Sequence, residues 1–205
     1  MHSLNLPLSH ETIRSLKVGD PVLLNGVMVT GRDAVHTWMV DTFIKRTREP
    51  QGDDLEVYAA IKPLLAGSVI YHCGPVVSGL DTKQYMFVAA GPTTSIREEP
   101  YQGLVMEHFQ IRGVIGKGGM GAKTLAACQQ VPGVYLHAIG GAASLIAQTV
   151  TRVLGVYKYD FGVPEAMWVI EVKDFPAVVT MDAHGGSLHA DIEARSKVAL
   201  KALLG

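Results

Sequence analysis

Residues Val114–Thr124 read VIGKGGMGAKT. Val114 and Ile115 close an apolar run that reads as the end of a strand. Four glycines, Gly116, Gly118, Gly119 and Gly121, then fall within six residues around one cation, Lys117, and Ala122–Gln130 continues as a helix. The same order follows downstream. Val134–Ile139 reads as a strand, Gly140-Gly141 as a second bare turn, and Ala142–Leu154 as a second helix. Strand and helix alternating at this spacing predict parallel pairing. The fold class expected is α/β, a mixed sheet with strand–Gly-turn–helix units.

Working outward, Met167–Val172 and Ala177–Met181 read as two further strands, with a turn near His184-Gly185-Gly186, and Asp191–Leu204 as a closing helix. Upstream, Ser9 caps a short helix over Glu11–Leu16. Pro21–Leu24 and Val27–Thr30 flank Asn25-Gly26, the strongest hairpin dipeptide, and so predict two short strands. Ala34–Lys45 carries an apolar stripe at helical spacing. Thr47–Asp54 is polar and predicts a surface loop, and Leu55–Leu65 is ambiguous. Val69–His72 and Tyr85–Ala90 read as strands, and Leu104–Phe109 as a helix.

The chain has 205 residues, 48% hydrophobic and 18% charged, which suits a single domain over residues 1–205 with a sizeable core. Its 18 basic and 19 acidic residues give a net charge of −1. A nucleic-acid surface should show a basic excess, so that class is disfavoured. Two cysteines, Cys73 and Cys128, without CxxC spacing point to a reducing compartment and are too few for a cluster needing three or four thiolates. The amino-terminal MHSLNLPLSHE lacks the pattern of a signal peptide. The most apolar window, Val134–Val156, is broken by glycines and holds His137, Gln148 and Arg152, so it is not a membrane span. A cytoplasmic protein is expected.

Three stretches carry possible chemistry. GKGGMG, Gly116–Gly121, matches G-x-G-x-x-G after a strand and before a helix. A dinucleotide fold needs an acidic residue about 20 positions on, yet no Asp or Glu lies between Glu107 and Asp160. A Walker loop fails because Gly118, not Ser or Thr, follows Lys117. What survives is an anion site of bare backbone, helix N–H groups and one lysine, against the plainer alternative of a tight turn with a solvated lysine. In GPTTSIRE, Gly91–Glu98, Thr93 and Thr94 are either a capping pair or a ligand-facing threonine beside Arg97, an arginine suited to clamping a carboxylate. In TGRDAVH, Thr30–His36, Arg32 occupies the same kind of post-strand position as Lys117. Asp33 is a candidate cap, and His36 reads as a partly buried, hydrogen-bonded histidine rather than a ligand. His184 and His189, five apart across a glycine turn, have poor metal geometry. If the strand ends converge, Arg32, Arg97 and Lys117 line one pocket suited to a small dianion.

TGRDAVH, GPTTSIR and IGKGGMG in this order, with IGGAA (Ile139–Ala143), VPEAMWVIEVKDFPAVV (Val163–Val179) and MDAHGG (Met181–Gly186), resemble the β subunit of class I fumarases and L-tartrate dehydratases over nearly the whole chain. Each glycine motif alone is weak, but the combination is specific. The resemblance implies a swivelling β/β/α three-layer domain. It also implies a partner α subunit carrying an oxygen-sensitive [4Fe-4S] cluster, whose open iron acts as a Lewis acid on the substrate hydroxyl, and a hetero-oligomer with paired β subunits. Carried over by position, Arg32, Arg97 and Lys117 bind substrate carboxylates, with Gly116 and Gly118 baring the backbone beside them. Thr93 takes the proton from carbon, with nearby cations favouring its alkoxide and a partner carboxylate relaying the proton. The implied reaction is reversible hydration of fumarate to L-malate, since IGGAA and DFPAVV look like the fumarase branch. Val163-Pro164-Glu165 leans to tartrate dehydratase, and mesaconate differs by one methyl that a pocket discriminates weakly. A non-catalytic anion-binding assembly subunit is the alternative of another class, and an NAD-binding oxidoreductase a third.

Overall fold

The computed structural model describes residues 1–204. Along the chain run β1 (His2–Asn5), α1 (His10–Ser15), β2 (Pro21–Thr30), α2 (Asp33–Met39), α3 (Asp54–Leu65), β3 (Val69–Tyr71), β4 (Val76–Ser78) and β5 (Met86–Ala89). There follow α4 (Glu99–Phe109), β6 (Gly113–Gly116), α5 (Ala122–Gln130), β7 (Val134–His137), α6 (Ala143–Gln148), β8 (Val150–Tyr157), β9 (Met167–Met181) and α7 (Leu188–Leu204). The main sheet has the order β1-β2-β3-β6-β7-β9-β8, and β4 pairs with β5 in a small antiparallel sheet. From β1 to β7 the pairing is parallel, as the alternation of strand and helix predicts. An added antiparallel pairing of β9 with β2 joins β2, β3, β6, β7 and β9 into a ring.

Period-2 alternation sorts the strand residues to two faces. Val69, Tyr71, Ile115, Val134, Leu136 and Trp168 join one core, which α1, α6 and the small sheet close off. Ile70, Val114, Tyr135 and Val169 join a second core under α2, α3, α4 and α5.

Several elements depart from the sequence reading. Asn25-Gly26 is no hairpin, because β2 runs straight through it with a bulge between Leu24 and Gly26. A continuous partner, β9, lies along both halves, and Gly26 uses its positive φ of 114° for the bulge. β9 is likewise one strand of 15 residues through Pro176. That proline is tolerated because residues 175–177 pair only with β2 and have no partner in β7 or β8. The helix expected over Ala142–Leu154 stops at Gln148, where the β-branched residues Thr149, Val150, Thr151 and Val153 turn the chain into β8 against β9. α2 widens into a π-helical turn over Val40–Ile44. The ambiguous stretch is α3. Asp54 belongs to it rather than to a loop: it is buried and accepts from Trp38 Nε1 at 2.8 Å and Lys158 Nζ at 3.1 Å.

Candidate functional site

The carboxyl ends of parallel strands are where open α/β sheets hold ligands, because the following loops can splay apart there. Here those ends converge. Thr30 closes β2 and Arg32 follows it. His72 follows β3. Lys117 follows β6. The segment Gly91–Glu98 is laced between them: Thr93 N donates to His72 O at 2.8 Å, Lys117 N to Thr93 O at 3.1 Å, and Ser95 N to Lys117 O at 3.0 Å. The result is a cavity of about 280 Å³ lined by Arg32, Asp33, Pro92, Thr93, Thr94, Arg97, Glu98 and Lys117. The convergence of Arg32, Arg97, Lys117 and Thr93 expected from sequence is therefore present.

The three cations are not equally engaged. Arg32 pairs with Glu165 at 3.2 Å, and a side chain at Gly74 would run into its guanidinium. Arg97 is tied to Asp33. Lys117 makes no ion pair within the described residues, and bare Gly140 lies along its stem. Thr93 does not cap a helix. Its hydroxyl donates to His72 O at 3.1 Å, which turns the proton to the carbonyl and leaves the lone pairs for the cavity it lines. Thr94 makes no side-chain cap either. Asp33 does not cap α2; Glu165 takes that part by accepting from Ala34 N at 3.3 Å.

The glycine turn differs from its expected use. Gly118 and Gly119 adopt positive φ, 78° and 82°, as a tight turn requires. Gly116 lies under Ser95, whose Oγ fills the space a Cβ would need, so its bareness serves packing. Neither Gly116 nor Gly118 lines the cavity. The amino end of α5 already holds an anion. Glu99 accepts from Gly121 N at 2.8 Å, Lys123 N at 2.9 Å and Thr124 Oγ1 at 2.7 Å. The anion of this helix end is the chain's own carboxylate, which takes the N–H groups of Gly121, Lys123 and Thr124.

Behind the cavity runs a buried network of which the sequence reading reached only His36. His36 Nδ1 donates to Arg32 O at 2.9 Å, holding that backbone at the cavity edge. The Gln102 amide lies between His36 Nε2 and His72 Nε2, at 3.0 and 2.8 Å. A neutral His36 that donates at Nδ1 has only a lone pair at Nε2, so this network requires the amide NH2 to face both rings. His72 Nδ1 then donates to Ser95 Oγ at 2.8 Å, and Tyr135 OH donates to the same oxygen at 2.9 Å. Burial drives both histidines below their ordinary value, His72 furthest because His36 adds to the effect, and keeps them neutral. Burial and the neighbouring Asp33 push Glu98 up to about 8. The sequence signals for this layer were His36, read as a hydrogen-bonded histidine and found as one, His72 at a strand end, and the final residue of GPTTSIRE.

Residues 2–192 match the family described as fumarase C-terminus. A Geobacillus stearothermophilus protein provisionally named a class I fumarate hydratase is 52% identical over 194 residues, 95% of this chain and 34% of that protein. A Methanocaldococcus jannaschii protein provisionally named an L(+)-tartrate dehydratase subunit beta is 34% identical over 200 residues, 97% of this chain and 96% of that one. The Escherichia coli L(+)-tartrate dehydratase subunit beta is 35% identical over 189 residues, 92% of this chain and 86% of its own length. The chain thus spans about a third of the Geobacillus protein and most of the two tartrate dehydratase subunits.

Proposed function

The chain belongs to the fumarase C-terminus family, and on that premise we propose that it is the β subunit of a two-subunit [4Fe-4S] hydro-lyase that reversibly hydrates fumarate to L-malate. The observation that carries this reading is the meeting of Arg32, Arg97, Lys117 and Thr93 at one cavity. Fumarate is preferred because the Geobacillus relative named for it is 52% identical, against 35% for the Escherichia coli tartrate dehydratase subunit. Tartrate is the second reading, favoured by the full-length match to subunits of that name. Mesaconate is the third dicarboxylate to be tested beside them.

In this proposal the α subunit holds the cluster, and it supplies a Lewis acid for the substrate hydroxyl. The described residues of this chain do not fit a cluster: Cys73 and Cys128 are buried thiols pushed up to about 12 by burial, and no group of three His, Cys, Asp or Glu is placed to hold a metal. No described helix is long and apolar enough to cross a membrane, and we place the enzyme in the reducing cytoplasm, with paired β subunits. The swivelling β/β/α arrangement is part of the same proposal.

This chain's residues then act as follows. Arg97 and Arg32 receive the two carboxylates, and substrate binding loosens their resting pairs with Asp33 and Glu165. Lys117, unpaired, meets the charge that grows when the C–H proton leaves. Thr93 Oγ accepts that proton. A hydroxyl is a weak base, so its own proton must leave by way of a carboxylate on the partner. The cations around Thr93 favour the alkoxide in the meantime. His72 positions Thr93 through its carbonyl.

The test is anaerobic assay of the cluster-loaded complex against fumarate, L-tartrate and mesaconate. Fumarate turned over with the highest kcat/KM supports the proposal. Tartrate or mesaconate ahead of it reassigns the substrate, and turnover of all three at equal rate by this chain without its partner removes the shared-site mechanism.

A further inference from the structure

The cavity contains more acid than a dianion site needs. Glu98 lines it, is 1% exposed, and leaves Oε2 buried with no hydrogen-bond partner. Asp33 lines it too; one oxygen holds Arg97, and the other, Oδ1, is also buried without a partner. The two carboxyls lie within hydrogen-bonding reach of each other. Two carboxylates in contact cannot both stay ionised, whereas one proton between them relieves the repulsion and satisfies the buried oxygens.

We propose that Asp33 and Glu98 share a single proton on the floor of the cavity, and that this proton sets the charge an incoming dicarboxylate meets. The pair is a specificity device and not the base, and the inference rests on the dicarboxylate reading above. Every other charged or titratable group facing it can be named. Arg97 comes from the same turn, Arg32 from the start of α2, and Lys117 from the turn after β6. His72, at the end of β3, lies with Nδ1 3.9 Å from Glu98 Oε2; Tyr135 faces from β7; and His36 stands behind Asp33. The last three are neutral near pH 7, as burial raises Tyr135 to about 12 and lowers both histidines. Arg32, Arg97 and Lys117 therefore face Asp33 and the Glu165 carboxylate, and the balance is positive while Glu98 keeps its proton. Loss of that proton brings the balance to zero and weakens binding of a dianion without touching the group that takes the substrate proton. The titration of Glu98, near 8, places this loss just above neutrality.

Two measurements test the pair, and neither needs turnover. In infrared difference spectra of the chain, alone and in complex with its α subunit, a protonated carboxyl band should persist at neutral pH. It should disappear as pH passes about 8 and be missing from Glu98→Gln. Succinate, a non-reacting dicarboxylate, should bind the complex about tenfold more weakly at about pH 9 than at about pH 6.5, since about a tenth of the pairs then keep the proton. Glu98→Gln should show no such decline. A wild-type chain without the band at neutral pH overturns the shared proton. A succinate affinity that is flat with pH in the wild type, or that still declines in Glu98→Gln, overturns the charge-setting role. Tight succinate binding with this pH dependence but no turnover of any dicarboxylate would leave this inference standing and remove the catalytic one.

Discussion

The amino end of α5 and the cavity beside it both gather opposite charges, and they differ in what is left over. At α5, Glu99 takes up three backbone N–H groups and the Thr124 hydroxyl, and the glycine turn closes over a finished contact. In the cavity, among the described residues, Lys117 has no ion pair and Glu98 and Asp33 each keep a buried oxygen without a partner. A motif that advertises an anion site in sequence can be satisfied by its own chain. Unsatisfied polar atoms are the better mark of a place built for something else, because burying them costs free energy that only a ligand or a shared proton returns.

The contrast can be broken at either end. The largest effect is expected for Thr93→Val, which should lower kcat/KM of the complex by about 10² to 10⁴, the range for a positioned proton-transfer group, with circular dichroism unchanged. A variant within a fewfold of wild type would remove Thr93 from the chemistry. Glu99→Ala should do the reverse. Leaving those N–H groups unpaired costs about 1–3 kcal/mol, and each kcal/mol lowers Tm by about 2–4 °C in a chain of this size. An unchanged Tm would show that the helix end is not satisfied by Glu99.

The pH dependence of stability sharpens the same distinction. Glu98 is raised in the folded state, so its contribution is present below its ordinary value of 4.5 and is lost as pH rises through about 8. His36 and His72 are lowered, so theirs is present above 6.5 and is lost as pH falls through their folded values. Glu98 should therefore lower urea midpoints as pH rises from about 4.5 to about 8, with no further loss from it above that range, while the two histidines lower them as pH falls below 6.5, and Glu98→Gln should remove only the first of these slopes. A wild-type profile and a Glu98→Gln profile of the same slope between about pH 6.5 and about pH 8 would assign the loss to another group. The smallest effect is expected for Thr94→Ala, within about 0.5 kcal/mol in urea titration, since that hydroxyl caps nothing. A larger loss would mean that it does.

Much of the site could be read from the sequence because it rests on local rules. A cation past a strand end sits where loops can converge, and so spacing marks Arg32, Arg97 and Lys117 as candidates for one pocket, while their meeting is visible only in the fold. The layer behind it could not be read, because His36, Gln102 and His72 come from three elements and meet only through the sheet order. The same limit explains the strands. Asn25-Gly26 carries a strong local turn signal, but β9 pairs along both sides of it, and tertiary pairing overrides a dipeptide. The long apolar window after Gly141 was split between α6 and β8 by β-branched residues whose partner lies in β9.

The most direct measurement is anaerobic hydration of fumarate by the complex of this chain with its α subunit, wild type beside Lys117→Ala. The account predicts turnover by the wild type and a loss of about 10² to 10³ in kcat for the variant, the range for removing one group that stabilises developing charge, with the complex still assembled. A Lys117→Ala complex that hydrates fumarate at the wild-type rate would contradict it.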